Sequence, residues 1–564
     1  MSATIMNHAN ATTRLLSLLI TAATLAIAVP AQAAAPGITG AAGNPVFNLV
    51  AQPNYISQPD GQMVYSWGYG CDPAKAPTGY SPAAIKNPFC KNMQVPGPTL
   101  IVTEGDTVTV KLTNQLPTPA GNTSILFPGF QLTPPTDGVP GLLTQEAAPG
   151  GTVTYTFTAT SPGTRAYYSG TQGDLQVEMG LYGAIIVLPK TANIPTVCTT
   201  GLAAQNLQAE QHWGESDFRN ATAAYDHPKT CYDREYLFQF SEMDPNIHKQ
   251  ALAQVTALGN CTAGSTGCNL EVPTEPYHPA YFMINGRSMP DDMDPNYALQ
   301  YPHQPYNGNP HMHPGEQVLL RIIGQGRWQH PFHEHGNHVR ILARDGNLIL
   351  ASGNASDPNL AGPLLFTTTT TPGVAMDGIF YWTAKGLNWD AYGHNPASSD
   401  PNAKLLCTPD ANGYNTLGSA YQQINYYEWC QDHNKPLQEK PFGDVAGGGP
   451  TTLPDPNLFT NGPWFGGSPY LGPNATTRAT FGGCTPGYPG PVTGSSPPVP
   501  GSCGGTGTTP PSGTIANPPT SEAGFAFMWH SHNEREITTN NIFPGGMLMM
   551  MLVDSREFVI DESM

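Results

Sequence analysis

The chain is 564 residues long, well past the size at which one core stops growing, so two or more domains are expected. Gly 61 and Pro 58 make up about a fifth of it and charged residues only 11%, which excludes a helical bundle or coiled coil and favours turn-rich β-sandwiches. Lys and Arg number 23 against 41 Asp and Glu, a net charge of -18 with no basic run, which excludes a nucleic-acid partner.

From the N-terminus, residues 1–33 read as a signal peptide: Arg14, an apolar stretch over 15–29, and Ala31-Gln32-Ala33 as a small-residue cleavage site. The stretch is shorter than the roughly 20 residues a membrane span needs, so the expectation is export to the periplasm, the cell surface or the medium with no membrane span afterwards. Residues 40–190 form a first sandwich, with β-branched runs at 99–102, 107–112, 152–158 and 182–188 and a tight turn at Glu104-Gly105-Asp106. A second is expected over 230–394 and 520–556, with runs at 235–240, 281–286, 317–323, 338–343, 379–382, 523–532 and 547–553. Between its two parts, 395–519 is too rich in Gly, Pro, Ser and Thr to bury much apolar area and reads as a surface insertion. The ten cysteines fall in order as close pairs, 71 with 90, 198 with 231, 261 with 268, 407 with 430 and 484 with 503, which in an exported chain suggests five local disulfides.

Two histidine clusters carry the chemistry: His330-Pro331-Phe332-His333-Glu334-His335 and His530-Ser531-His532. In an extended chain residues i and i+2 share a face, so His333 with His335 and His530 with His532 each turn two imidazoles one way. Four converging imidazoles suit copper, zinc or iron. Glu334 faces the opposite side, as a support for an imidazole or a surface charge, and Glu534 and Glu536 read first as solvated carboxylates, with orienting an imidazole or offering an oxygen ligand as the alternative. His311-Met312-His313 offers imidazole and thioether to copper but reads first as an exposed pair of turn histidines; Met547, Met549, Met550 and Met551 read as core rather than a soft-metal ladder; and the aromatics around Trp382, Trp389, Tyr392, Tyr426, Tyr427 and Trp429 as a stacking platform or packing for the insertion.

The chain resembles the multicopper oxidase family. The resemblance rests on Gln94-Val-Pro-Gly-Pro-Thr-Leu-Ile-Val, Thr123-Ser-Ile, Asp137-Gly-Val-Pro-Gly, Leu143-Thr-Gln, Gly180-Leu-Tyr-Gly-Ala-Ile-Ile-Val, Ile284-Asn-Gly and the two histidine clusters. It implies an all-β fold of two cupredoxin-like Greek-key sandwiches, the second interrupted by the insertion. It also exposes losses. Where the family has His-Trp-His this chain has Leu126-Phe127-Pro128, and where it has Tyr-His-Ser-His this chain has Tyr167-Tyr168-Ser169-Gly170. The family's His-Cys-His is His530-Ser531-His532, so the thiolate of a blue copper is missing, and Glu536 stands in place of that site's second histidine; His330 and Met547 keep family-like places.

By the resemblance, His333 answers to a ligand of the mononuclear copper, and His335, His530 and His532 to ligands of the coupled pair, in a three-copper cluster that keeps four of its eight imidazoles; the expectation is therefore a single copper on His335 and His530 with His333 or His532 as third ligand, and His330, Glu536 and Met547 as further candidates. Oxygen reduction of the laccase type is not expected. Three roles follow as alternatives: a metal-binding protein; an oxidoreductase using one copper, in a homo-oligomer whose family precedent is a trimer; and a metal-free structural or surface-binding scaffold.

Overall fold

The computed structural model describes residues 34–85, 90, 91, 93–134, 141, 142, 144–352, 354, 357–383, 467–470, 524–554 and 559–562. The expected signal peptide, the insertion apart from 467–470, Asp137 to Pro140, Leu143, the cysteines at 407, 430, 484 and 503, and the aromatics from Trp389 to Trp429 lie outside the described residues.

The described chain is mostly β, in sheets that resemble cupredoxin-type sandwiches. In the N-terminal part, Val46–Ser57 pairs antiparallel with Met63–Cys71 and parallel with Thr107–Asn114, which pairs antiparallel with Thr152–Thr158. Alternation sends Val108, Val110 and Leu112 from one strand and Val153, Tyr155 and Phe157 from another inward, with threonines on the outer face. They meet Leu100, Val102, Ile185 and Val187 of a facing sheet ordered Gly79–Ser81, Gly37–Thr39, Leu100–Thr103, Tyr182–Leu188, Gly163–Tyr168.

The C-terminal part repeats this two-layer arrangement. One sheet runs Tyr281–Ile284, Arg234–Met243, Gln317–Gly324, Ala375–Tyr381, Val339–Arg344, Asn347–Leu348; the other runs His311–Met312, Leu548–Asp554, Gly524–Ser531, His330–Glu334, Thr367–Thr370. Phe238, Phe240, Phe332, Phe380, Trp382, Phe527 and Trp529 fill the space between them. Met547, Met549 and Met551 are fully buried there, so the methionine run packs a core, as its alternation with Leu548 and Met550 suggests.

All-β is too strict a description. Leu202–Trp213 is a helix in the connection between the two parts, and Pro245–Leu258 is a helix between two neighbouring strands of the C-terminal part, Arg234–Met243 and Tyr281–Ile284. The second starts as helices commonly start, with proline in its first turn and the Asp244 carboxylate accepting from the Asn246 N–H at 2.9 Å. Among the described residues no helix is long and apolar enough to cross a membrane. Among the described residues three disulfides are present, Cys71–Cys90, Cys198–Cys231 and Cys261–Cys268, each between cysteines adjacent in sequence order as expected.

A buried charge cluster joins the two parts. Asp377 accepts from the Thr164 hydroxyl at 2.6 Å and the Thr164 N–H at 3.0 Å, while Arg321 lies 3.7 Å from Asp377 and donates to Glu235 at 2.8 Å. Removing Asp377 leaves Arg321 with Glu235 alone and strips the buried Thr164 N–H, Thr164 hydroxyl and Tyr225 hydroxyl of their acceptor. Asp377→Ala is therefore expected to lower stability by about 3–5 kcal/mol in urea unfolding; a change of a few tenths would show that the junction is solvated.

Candidate metal centre

The site is built by the pairing of two strands. His330–Glu334 runs antiparallel to Gly524–Ser531 with His333 opposite His530, Phe332 opposite Ser531 and Glu334 opposite Trp529. Residues opposite one another share a face. His333 and His530 therefore point together to one side, and the pairs containing Phe332 and Trp529 point into the core. Beyond the strand end the chain turns at Gly336, where φ is 97° and a Cβ would meet the Phe527 ring at 3.0 Å. The indole N–H of Trp529 donates to the His335 carbonyl at 2.9 Å and ties that turn to the core.

On the outer face three imidazoles converge. Ligand nitrogens of His333, His335 and His530 all lie within 4.8 Å of one another, and the Nε2 atoms of His335 and His530 are 3.3 Å apart. The Nδ1 of His530 is 2.7 Å from the Ser531 carbonyl, which can only accept, so the proton sits on Nδ1 and the Nε2 lone pair faces His335. His333 anchors its Nδ1 on the Thr367 hydroxyl at 2.7 Å. His532 is exposed at the rim, its ring centroid 4.8 Å from that of His333. Burial, and then the neighbouring imidazoles of His335, His530 and His532, push the His333 pKa down to about 4; burial also lowers that of His530. Neutral imidazoles are what a metal requires. Two nitrogens each about 2.0 Å from one tetrahedral ion would stand about 3.3 Å apart, the separation of the His335 and His530 Nε2 atoms, and the His333 nitrogen, within 4.8 Å of both, would complete a site for a single ion by moving inward.

His330, Glu536 and Met547, expected as further candidate ligands, are placed differently. His330 is fully buried and both its nitrogens are engaged, Nδ1 with Glu536 at 2.9 Å and Nε2 with Glu242 at 2.8 Å. Burial alone would depress its pKa, but the hydrogen bonds and charges of Glu242 and Glu536 outweigh it and raise the value to about 9. Glu536 also accepts from the Ser531 hydroxyl at 2.5 Å and from Asn533 at 2.9 Å. Met547 is buried in the core. A protonated imidazole held between two carboxylates thus fills this corner of the sandwich. The polar chain continues inward: the Tyr277 hydroxyl donates to Glu178 at 2.6 Å and lies 3.2 Å from Glu242.

Two other expectations are corrected. Glu334 does face away from His333, but into the core, where burial pushes its carboxyl well above the usual range. His311 and His313 are not exposed. Both are buried, His311 on the Asp554 carboxylate at 2.7 Å and His313 on Glu215 at 2.7 Å, because the two-residue strand His311–Met312 pairs with Leu548–Asp554 inside the molecule. Glu242 was missed from sequence; it lies 88 residues from its partner, and no local pattern marks it.

The sequence pattern of the multicopper oxidase family matches residues 80–192. Over these residues the chain is similar to the multicopper oxidases, and among the described residues its metal-ligand cluster is incomplete. It is 39% identical over 131 residues to multicopper oxidase VdtB of Byssochlamys spectabilis (23% of this chain, 17% of that one). It is 43% identical over 96 residues to copper resistance protein A of Escherichia coli (17% and 15%), and 37% identical over 127 residues to laccase-1 of Emericella nidulans (22% and 19%). The matched stretches thus span less than a fifth of each relative. Among solved structures, the blue copper oxidase of Nitrosomonas europaea aligns with a TM-score of 0.42 at 16% identity, covering 90% of this chain and 85% of that one.

The matched segment, 80–192, contains no histidine at all. At the places noted above, Leu126 and Tyr168 bridge to one another and Phe127 packs on Phe157 and Tyr155 with ring centroids 5.0 and 5.5 Å apart. Hydrocarbon packing fills that side of the fold.

The raised pKa of His330 has a measurable consequence. A histidine whose folded value lies above its unfolded one, about 6.5, contributes stability that is complete below pH 6.5 and lost as pH rises through about 9. Between these limits wild type is expected to lose on the order of 3 kcal/mol more than His330→Gln; parallel stability curves would contradict the buried cation.

Proposed function

We propose that this is an exported copper-binding protein of multicopper-oxidase type that holds one copper through His333, His335 and His530, with His532 at the rim as an additional donor and no blue copper. Residues 1–33 are removed on export. Residues 40–190, and 230–394 with 520–556, are its two cupredoxin-like Greek-key sandwiches, and 395–519 is a surface insertion. The observation that carries the reading is the 3.3 Å approach of the His335 and His530 Nε2 atoms with His333 beside them. Imidazole donors suit copper and zinc alike, and the general affinity order of divalent ions favours copper. Similarity to proteins named multicopper oxidase, laccase and copper resistance protein supports the same metal.

Laccase-type turnover needs an electron-accepting copper and a cluster that collects four electrons. Ser531 supplies a neutral hydroxyl already donated to Glu536, and 80–192 offers no imidazole. A second reading, an oxidoreductase working at the single copper, is favoured by one feature: three nitrogen donors beside an exposed His532 leave an open coordination position that solvent can reach.

Metal analysis after copper loading and dialysis tests the proposal. Wild type is expected to retain about one copper per chain and the His335→Ala, His530→Ala double variant none, with a mononuclear copper signal in electron paramagnetic resonance of wild type only. Equal stoichiometry in the two proteins would end it.

A further inference from the structure

A second, separate feature lies on the surface between the N-terminal sandwich and the helix Pro245–Leu258. The strand Met63–Cys71, the first turns of Pro245–Leu258 and residues 278–281 border a hollow of about 400 Å³. Tyr55 and Met63 line this hollow and also a second one of about 540 Å³, bordered beyond them by Gln300 and His303. The two side chains thus form a ridge along an open trough, 40% and 59% exposed respectively. Tyr65 meets the Tyr55 ring edge-on, with centroids 5.7 Å apart.

The lining is unusual for this chain. Although the sequence carries 41 Asp and Glu, among the described residues no acidic side chain borders either hollow, and Lys249 is the one Lys or Arg there. Amides take their place: Gln62, Asn246 and Asn540 on one side of the ridge, Asn54 and Gln300 on the other. Asp60, outside the lining, already accepts from the Tyr281 hydroxyl at 3.0 Å and the Asn540 amide at 3.4 Å.

This chemistry selects among ligands. A small apolar molecule calls for a site that encloses most of its surface, which an open trough does not. A polyanion meets one lysine on a molecule of net charge -18. Rings that are apolar on their faces and hydroxylated at their edges fit both features, because an aromatic ridge covers a face while each amide donates to and accepts from hydroxyls. We propose that the trough binds a neutral oligosaccharide laid across Tyr55, with sugar rings in both hollows. The inference is independent of the metal reading.

Calorimetric titration of the full chain with cellohexaose, maltohexaose, xylohexaose, chitohexaose and, as the charged alternative, hexagalacturonate tests it. At least one neutral hexasaccharide is expected to bind saturably, to lose about tenfold or more in affinity with Tyr55→Ala, and to keep its affinity with Tyr55→Phe, which retains the ring. The His335→Ala, His530→Ala double variant is expected to bind it as wild type does, so failure of the metal reading and of this one are distinguishable. No binding of any neutral sugar, equal binding by Tyr55→Ala, or tighter binding of hexagalacturonate that Lys249→Met abolishes would each overturn the proposal.

Discussion

The metal centre depends on one register, that of His330–Glu334 against Gly524–Ser531. With His333 opposite His530, alternation places the imidazoles outside and Phe332 and Trp529 inside. A slip by one residue would send every side chain of one strand to the wrong face. The aromatic core prevents it. Phe332, Phe380 and Trp529 pack edge-to-face with ring centroids 4.9 to 6.0 Å apart, and each contributes about 1.5–3 kcal/mol of burial that a slipped strand would forfeit. The chemistry on the outer face is held in place by hydrocarbon on the inner one.

The same alternation explains what became of the other corner. Ser531 shares the inner face with Phe332 and meets Glu536, His330 and Glu242 in a closed polar cluster. A blue copper would bring positive charge to that position; here a proton on His330 brings it. Buried charges are tolerated when every partner is satisfied, and both nitrogens of His330 are. The cluster is self-sufficient as an ion pair network. Replacing Ser531 by a thiol would not by itself recreate a metal site, because the neighbouring donors would remain committed to one another.

Much of this was legible in the sequence. Strands 152–158 and 182–188 follow directly from strict alternation and from a continuous apolar run, and the i, i+2 spacing of the histidines set His333 on the face of His335, while only the family resemblance brought His530 to them. Departures arose where long-range contacts decide. Pro245–Leu258 is a helix because Ile247, His248 and Ala251 bury one face against the N-terminal sandwich, a periodicity that a turn-rich composition obscures. His311 and His313 looked like turn residues beside Pro314-Gly315, yet parallel pairing with the last strand draws them under Asp554 and Glu215. Nothing local to His330 announces Glu242, since that contact exists only once two sheets have closed on each other.

The most direct test of the account is anomalous diffraction at the copper edge from crystals soaked in cupric salt. One peak is predicted within bonding distance of imidazole nitrogens of His333, His335 and His530, with none near Ser531. A peak seated among His330, Ser531, Glu536 and Met547, or no peak at the three histidines at full soak, would contradict it.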